Sequence, residues 1–327
     1  MHNVFVIGFN GALASAITGI VDLFRLAGVT WARIQNDTPH PYFKTRLLTQ
    51  GATPCRCING LTLLADGAWD EPGLAFGPDD FIIVPTIGGP ILPVLEQNRE
   101  LVSWLSERAG EGSQLASNCT GAFMLAEAGL LAGREATTHW GFSNQFQLRY
   151  PAVRCRPEKL VTVDGPIACA GGGMAWWDLG IYLVERHAGP EVARQLAKAF
   201  VIDAGRTSQA PYSALQARRY HGDKAILKLQ DWLDQHYTMK ITLTDMSDQA
   251  GLSARSLIRR FKTATGDSPT TYLQLLRVEE ARRRLESSTA SIETITRDVG
   301  YEDVSSFSRL VRRHTGLSPS DYRARFR

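Results

Sequence analysis

A chain of 327 residues is long enough for two domains, each with a buried core of its own. With 44% hydrophobic residues and 36 Lys/Arg against 33 Asp/Glu, a net charge of +3, it is neither a disordered chain nor a strongly basic one. No run approaches the length of a membrane span, and five cysteines, an odd number without a C-x-x-C pair, argue against a disulfide framework and against a zinc site.

The first nine residues are too short, and too soon followed by glycine and asparagine, for a signal peptide. A reduced, cytoplasmic protein without metal or cofactor is expected. Residues 4–9 are an apolar run ending in Gly8-Phe9-Asn10-Gly11, the pattern of a buried strand and a turn. Residues 12–28 carry Ile17, Ile20, Val21, Phe24 and Leu26 at helical spacing. Residues 43–48 are a second strand candidate, and Phe81-Ile82-Ile83-Val84 a third. Residues 92–109 are predicted as one helix, 114–117 as a short strand and 121–130 as a helix. Residues 159–163 and 167–170 form a hairpin around Asp164-Gly165. Helices follow over 175–186 and 190–201. Strands alternating with helices predict a doubly wound α/β domain with a largely parallel sheet over 1–205.

The stretch Ala116-Ser117-Asn118-Cys119-Thr120-Gly121-Ala122-Phe123 runs from strand straight into helix, with Cys119 at the corner. Such an elbow presents its side chain at the carboxyl edge of a sheet, and the amides after it offer an oxyanion or carboxylate site. A cysteine there is expected to be more acidic than usual. His139, followed by Trp140, is the candidate base. The loop Thr86-Ile87-Gly88-Gly89-Pro90 can add backbone amides.

Cys119-Thr120-Gly121, residues 125–131, Thr137-Thr138-His139-Trp140, Ala170-Gly171-Gly172 and Asp178-Leu179 resemble the ThiJ/PfpI branch of the class I glutamine amidotransferase-like superfamily. The likeness is to the version fused to AraC-type domains, and it spans most of residues 1–200. In catalytic members an acid early in the first helix contacts the cysteine. Spacing back from Asp22 puts that place near Ala16, and no Asp or Glu lies in residues 1–21. The resemblance therefore implies a pocket that binds a ligand rather than turning it over. Its candidate residues are Cys119, Thr120, Gly121, His139, Gly88, Gly89, Trp176 and Trp177. The two tryptophans are core or dimer packing on one reading. On the other, one faces the cation of a quaternary amine or an amino acid. The rival to a sensor is a cysteine-dependent hydrolase or glyoxalase-like enzyme, or a thiol sensor, working through Cys119.

Residues 206–222 lose the pattern and are expected to be a linker. From Gly222 onward there are 18 Lys/Arg and 14 Asp/Glu, a net of +4, which leaves 18 against 19 before it. A helix opens at Asp223 and runs to His236. Two helix-turn-helix patterns follow, the second a degenerate copy of the first: Leu257 and Phe307, Arg259 and Arg309, Gly266 and Gly316, Pro269 and Pro319, and Tyr272 and Tyr322 share an offset of 50. In each, apolar residues at helical spacing end in a glycine, Gly251 or Gly300, and Ser253 or Asp303 caps the next helix. The outward residues are Arg255, Ser256, Arg259 and Lys262 in one copy, and Val304, Ser305, Ser308, Arg309 and Arg312 in the other. Arginine and serine on an exposed helix reach base edges and phosphates in a major groove. Phosphate attraction is expected from clusters such as Arg259-Arg260 and Arg312-Arg313.

Gly251-Leu252-Ser253, Thr265-Gly266 with Ser268-Pro269, Val299-Gly300-Tyr301, Phe307-Ser308-Arg309 and Thr315-Gly316-Leu317-Ser318-Pro319 are similar to the DNA-binding domain of AraC/XylS regulators, here an all-α domain over 223–327. Val311 stands where that family usually has phenylalanine. The resemblance implies a regulator, an activator, that binds double-stranded DNA and a small-molecule effector, works with RNA polymerase and forms a homodimer, with no membrane association.

Overall fold

The computed structural model describes residues 1–74, 76, 77, 79–213, 219 and 221–327, and the chain divides into two compact units, Met1–Gln209 and Ala210–Arg327. The first unit opens with β1 (His2–Ile7), α1 (Ala14–Leu26), α2 (Thr30–Ile34) and β2 (Phe43–Thr49). Three two-residue strands follow, β3 (Cys55–Arg56), β4 (Thr62–Leu63) and β5 (Gly67–Ala68), and then β6 (Phe81–Val84), α3 (Ile91–Gln97) and α4 (Arg99–Gly110). The middle of the unit is β7 (Gln114–Asn118), α5 (Ala122–Glu127), β8 (Glu135–Ala136), α6 (Ser143–Arg149) and β9 (Arg154–Cys155). It closes with β10 (Val161–Asp164), β11 (Ile167–Ala170), α7 (Trp176–Ala188) and α8 (Pro190–Ala199).

Seven strands form the main sheet in the order β10-β11-β7-β6-β1-β2-β5, parallel throughout except for the β10–β11 hairpin. The central strands explain their position by composition. Phe81–Val84 and Ile167–Ala170 are buried at every residue, as strands covered on both faces must be. Helix α1 lays Ile17, Ile20, Leu23 and Phe24 into the same core. The helix expected over 92–109 is two helices, because Asn98 leaves helical geometry and turns its side-chain amide back to the Val94 carbonyl.

Of the stretch read as a linker, residues 214–218 and 220 lie outside the described residues. Arg206–Gln209 belong to the first unit: Arg206 pairs with Asp178, and the Gln209 backbone N–H donates to the Glu158 carbonyl.

The second unit is helical among its described residues. It holds α9 (Lys224–His236), α10 (Leu243–Ala250), α11 (Ala254–Thr265), α12 (Pro269–Ser287), α13 (Ile292–Asp298), α14 (Val304–Thr315) and α15 (Pro319–Phe326). It has two cores. Ile226, Leu229, Leu233, Met246, Leu257 and Phe261 belong to one, and Ile295, Val299, Phe307, Leu310 and Val311 to the other. Phe261 and Phe307 are fully buried, each contributing about 1.5–3 kcal/mol of transfer free energy.

Candidate DNA interface and ligand site

Each helix-turn-helix is set by local chemistry. Thr242 and Asp245 close a capping box at the start of α10, and Gly251 ends that helix in the left-handed conformation at φ 64°. The Ser253 hydroxyl accepts from the Ser256 amide and opens α11. In the second copy Ser291 caps α13, Gly300 takes φ 83° two residues past the helix end, and Asp303 caps α14 through the Ser306 amide. Helices α11 and α14 are both 12 residues long, 50 positions apart. Slippage of the repeat in the turn has a plain cause: two residues separate Gly251 from α11, and three separate Gly300 from α14.

The predicted outward residues do lie outward. Arg255, Arg259 and Lys262 are exposed and Ser256 half-buried; Ser305, Arg309 and Arg312 are exposed, with Val304 and Ser308 half-buried. Among the described residues no carboxylate pairs with Arg255, Arg259, Lys262, Arg309, Arg312 or Arg313, so their charge is available to phosphates. Arg260 departs from the expected cluster. Its guanidinium is held in a two-bond fork by Asp223, at 2.9 and 2.7 Å, and this arginine ties α11 to the start of α9.

In the first unit, β7 delivers Cys119 to the carboxyl edge of the sheet, between β6 and β11. Cys119 has φ +55°, a strained conformation for a non-glycine residue, and is 4% exposed. Packing around the elbow leaves no slack: a Cβ on Gly121 would lie 2.5 Å from the Pro85 carbonyl oxygen, so only glycine fits. The Thr120 hydroxyl donates to the Ile87 carbonyl at 2.8 Å, and Thr138 to the Cys119 carbonyl at 2.9 Å. Asn118 Nδ2 donates to Thr86 Oγ1 at 2.7 Å and to the Gly173 carbonyl at 3.2 Å.

Three expectations change here. The thiol is not acidified. Burial pushes Cys119 up, and the donors that oppose it, Thr120 and Thr86, do not compensate. Among the described residues no hydrogen bond joins His139 to the thiol. His139 Nδ1 accepts from the Gly141 amide at 3.1 Å, and burial holds the imidazole below its usual range. Gly88 does not offer a free amide, because its N–H donates to the Gly11 carbonyl at 2.8 Å and the Ile58 side chain covers it.

Trp176 is in the core, 3% exposed, its ring stacked on Trp177 at 4.1 Å. The ring edge lies so close to α1 that a Cβ on Gly19 would be 1.9 Å away. Trp177 is half-buried and also meets Phe200. Ser117 Oγ and Asn118 Oδ1, at the end of β7, and Trp176 Nε1, on α7, are among the buried polar atoms that lack a hydrogen-bond partner among the described residues. Asn118 is tied to Gly173, three residues before that tryptophan.

Sequence patterns missed Thr86, Asn118 and Thr138, which carry no signal beyond adjacency to the motifs. They also missed Gln209. That side chain is buried, donates to the Thr138 carbonyl at 2.8 Å and accepts from the Trp140 amide at 3.2 Å, so it fixes the 137–140 loop. A Cβ on Gly171 would strike it at 2.2 Å.

Comparison with known proteins agrees with both units. A model of the DJ-1/PfpI family matches residues 2–185, and one described as a helix-turn-helix domain matches residues 246–325. The chain is 30% identical over 293 residues to the HTH-type transcriptional regulator CdhR of Pseudomonas aeruginosa, covering 89% of this chain and 85% of the relative. It is 28% identical over 299 residues to the HTH-type transcriptional regulator GbdR of the same species, covering 84% and 80%. A crystal structure of a ThiJ/PfpI family protein from Pseudomonas syringae shares the fold, with a TM-score of 0.52 at 17% identity over 77% of this chain and 91% of that one.

Proposed function

We propose, for a chain that belongs to the DJ-1/PfpI family and is a helix-turn-helix transcriptional regulator, that one subunit reads DNA with two helices and that a small metabolite at the cysteine elbow governs the reading. The observation that carries the first half is the pair α11 and α14. They have equal length, cap at both ends in the same way, and present arginines with no carboxylate partner among the described residues. Arg255, Ser256, Arg259 and Lys262 face one major groove in this reading, and Val304, Ser305, Ser308, Arg309 and Arg312 the next. Arg259→Ala and Arg309→Ala should each cost about 1–3 kcal/mol on a duplex selected by the protein and much less on random duplex. Equal losses on both duplexes would reassign these side chains to phosphates.

Support for the second half is the pair of unpartnered buried atoms, Asn118 Oδ1 and Trp176 Nε1. Left unmet, each costs about 1–3 kcal/mol, and a ligand carrying a donor and an acceptor relieves both. An amino acid, or another amine with a carboxylate, has that chemistry. Cys119, Thr120, Gly121, Gly89 and Trp177 complete the site, and His139 shapes its rim. The buried, raised thiol and an imidazole that accepts from the Gly141 amide favour binding over turnover. A thermal-shift screen of the full chain against amino acids, betaines and polyamines tests this. A specific ligand should stabilise the fold by mass action and still do so in Cys119→Ser. Turnover of any of these compounds that disappears in that variant would favour an enzyme instead.

The reading extends to a cytoplasmic, homodimeric activator that engages RNA polymerase. Sedimentation of the full chain and transcription from a selected template check it, and a monomer, or a template silenced by the ligand-bound protein, would refute it.

A further inference from the structure

The two helix-turn-helix cores share no buried residue, yet both lean on one side chain: Tyr237, just past α9, packs against each. Helix α12 crosses both cores, giving Tyr272, Leu273 and Leu276 to the first and Val278, Ala281 and Leu285 to the second. The residue at the border is Arg277. Its Nε donates to the Tyr237 carbonyl and its terminal nitrogen to the Met239 carbonyl, both at 2.7 Å. Its guanidinium lies over the Tyr301 ring, 5.1 Å from the centroid. Between the two bonded carbonyls, Thr238 presses on the second copy: a Cβ on Gly300 would be 2.5 Å from the Thr238 carbonyl oxygen. The turn 237–239, which belongs to the first copy by sequence, is thus wedged between α12 and the glycine that ends α13.

The chemistry of the wedge suits arginine. Carbonyls beyond the carboxyl end of α9 carry negative partial charge and lack helical partners. A planar fork satisfies two of them at once while its face stacks on an aromatic ring; a lysine ammonium has neither the fork nor the plane.

We infer that Arg277 is a positioning residue that fixes the separation and angle of α11 and α14, so that the first recognition helix sets the register of the second on DNA. The inference rests on the reading that both helices enter grooves. It predicts a regulator intolerant of changes in half-site spacing.

The test is selection from a random duplex pool by full-length wild type, Arg277→Ala, Arg277→Lys and Tyr301→Leu in parallel. Wild type should return two half-motifs at one spacing. Arg277→Ala should keep both half-motifs but spread their spacing. Its affinity for the wild-type duplex should fall roughly tenfold or more as the second contact loses effective concentration. Its affinity for a duplex holding only the first half-motif should not change. Arg277→Lys should lie between, and Tyr301→Leu, which spares the carbonyl bonds, should spread the spacing less. Unaltered spacing and affinity in Arg277→Ala and Tyr301→Leu would overturn the inference. So would an equal loss on half and full duplexes, which marks a phosphate contact. A single half-motif selected by wild type itself would instead sink the two-helix reading on which the inference stands.

Discussion

The two helix-turn-helix copies share their local grammar and differ in what covers them. The first is roofed by α9, whose Ile226, Leu229 and Leu233 enter its core and whose capping Asp223 grips Arg260 of α11. The second is roofed by the short segment Ala210–Tyr212, earlier in the chain. There Arg282, 9% exposed, donates to the Pro211 carbonyl at 2.6 Å, to the Ser213 carbonyl and to the Tyr322 hydroxyl at 2.7 Å, while Tyr322 donates to Glu286. At the position equivalent to Arg260 the second copy has Leu310, packed into its core. A duplicated unit therefore keeps its caps and turns but acquires a separate tertiary attachment for each copy. One is a half-buried ion pair, the other a buried arginine network.

The largest effect should come from breaking the buried attachment. Arg282→Leu leaves two backbone carbonyls, the Tyr322 hydroxyl and Glu279 without their donor. Removing one partner of such a network costs about 3–5 kcal/mol. Urea unfolding of the full chain, followed by helical circular dichroism, should show the loss as an earlier midpoint. A midpoint unmoved within error would mean that the 210–213 segment contributes nothing to the second copy.

Next come the turn glycines. Gly251 and Gly300 both have positive φ, so alanine at either costs about 1–2 kcal/mol of backbone strain. Around Gly251 a Cβ meets nothing within 4 Å, whereas at Gly300 it meets the Thr238 backbone at 2.5 Å. Overpacking against backbone adds about 1–3 kcal/mol. Gly300→Ala should thus be clearly worse than Gly251→Ala in the same unfolding measurement. Equal losses would say that only φ matters and that the turn 237–239 yields freely.

What was legible in the sequence follows the same division. Caps, helix-ending glycines and outward arginines are local signals, read within four or five residues, and they placed both α11 and α14. The parallel sheet was legible from runs such as Phe81–Val84. Two-residue strands such as β3, β5 and β8 were not, because two residues carry no periodicity. Nor was the state of Cys119. Its corner is a local motif, but its pKa is raised by burial, which depends on chain remote in sequence, such as the segment whose Thr138 hydroxyl donates to the Cys119 carbonyl from 19 residues away. The hold of Asp223 on Arg260, of Gly11 on the Gly88 amide and of Arg277 on Tyr237 are likewise long-range pairs that no spacing announces.

The smallest expected effect separates the copies by pH. Hydrogen bonds from the Arg260 guanidinium hold the Asp223 carboxyl below its usual range. A depressed carboxylate stabilises the fold fully above its unfolded value, near 4, and that contribution fades as pH falls through the lower folded value. Leu310, in the equivalent place, does not titrate. On acidification below about pH 4, amides in α10 and α11 should therefore lose hydrogen-exchange protection before those in α13 and α14. Because water still reaches this half-buried pair, the change should be slight and weaker still at high salt. Asp223→Asn should remove the part of the first copy's acid loss that the Arg260 pair causes, while the depressed cap carboxylates Asp245 and Asp303 still titrate in α10 and at α14. If the variant keeps the whole of that loss, the acid sensitivity of the first copy lies in some group other than the Asp223–Arg260 pair.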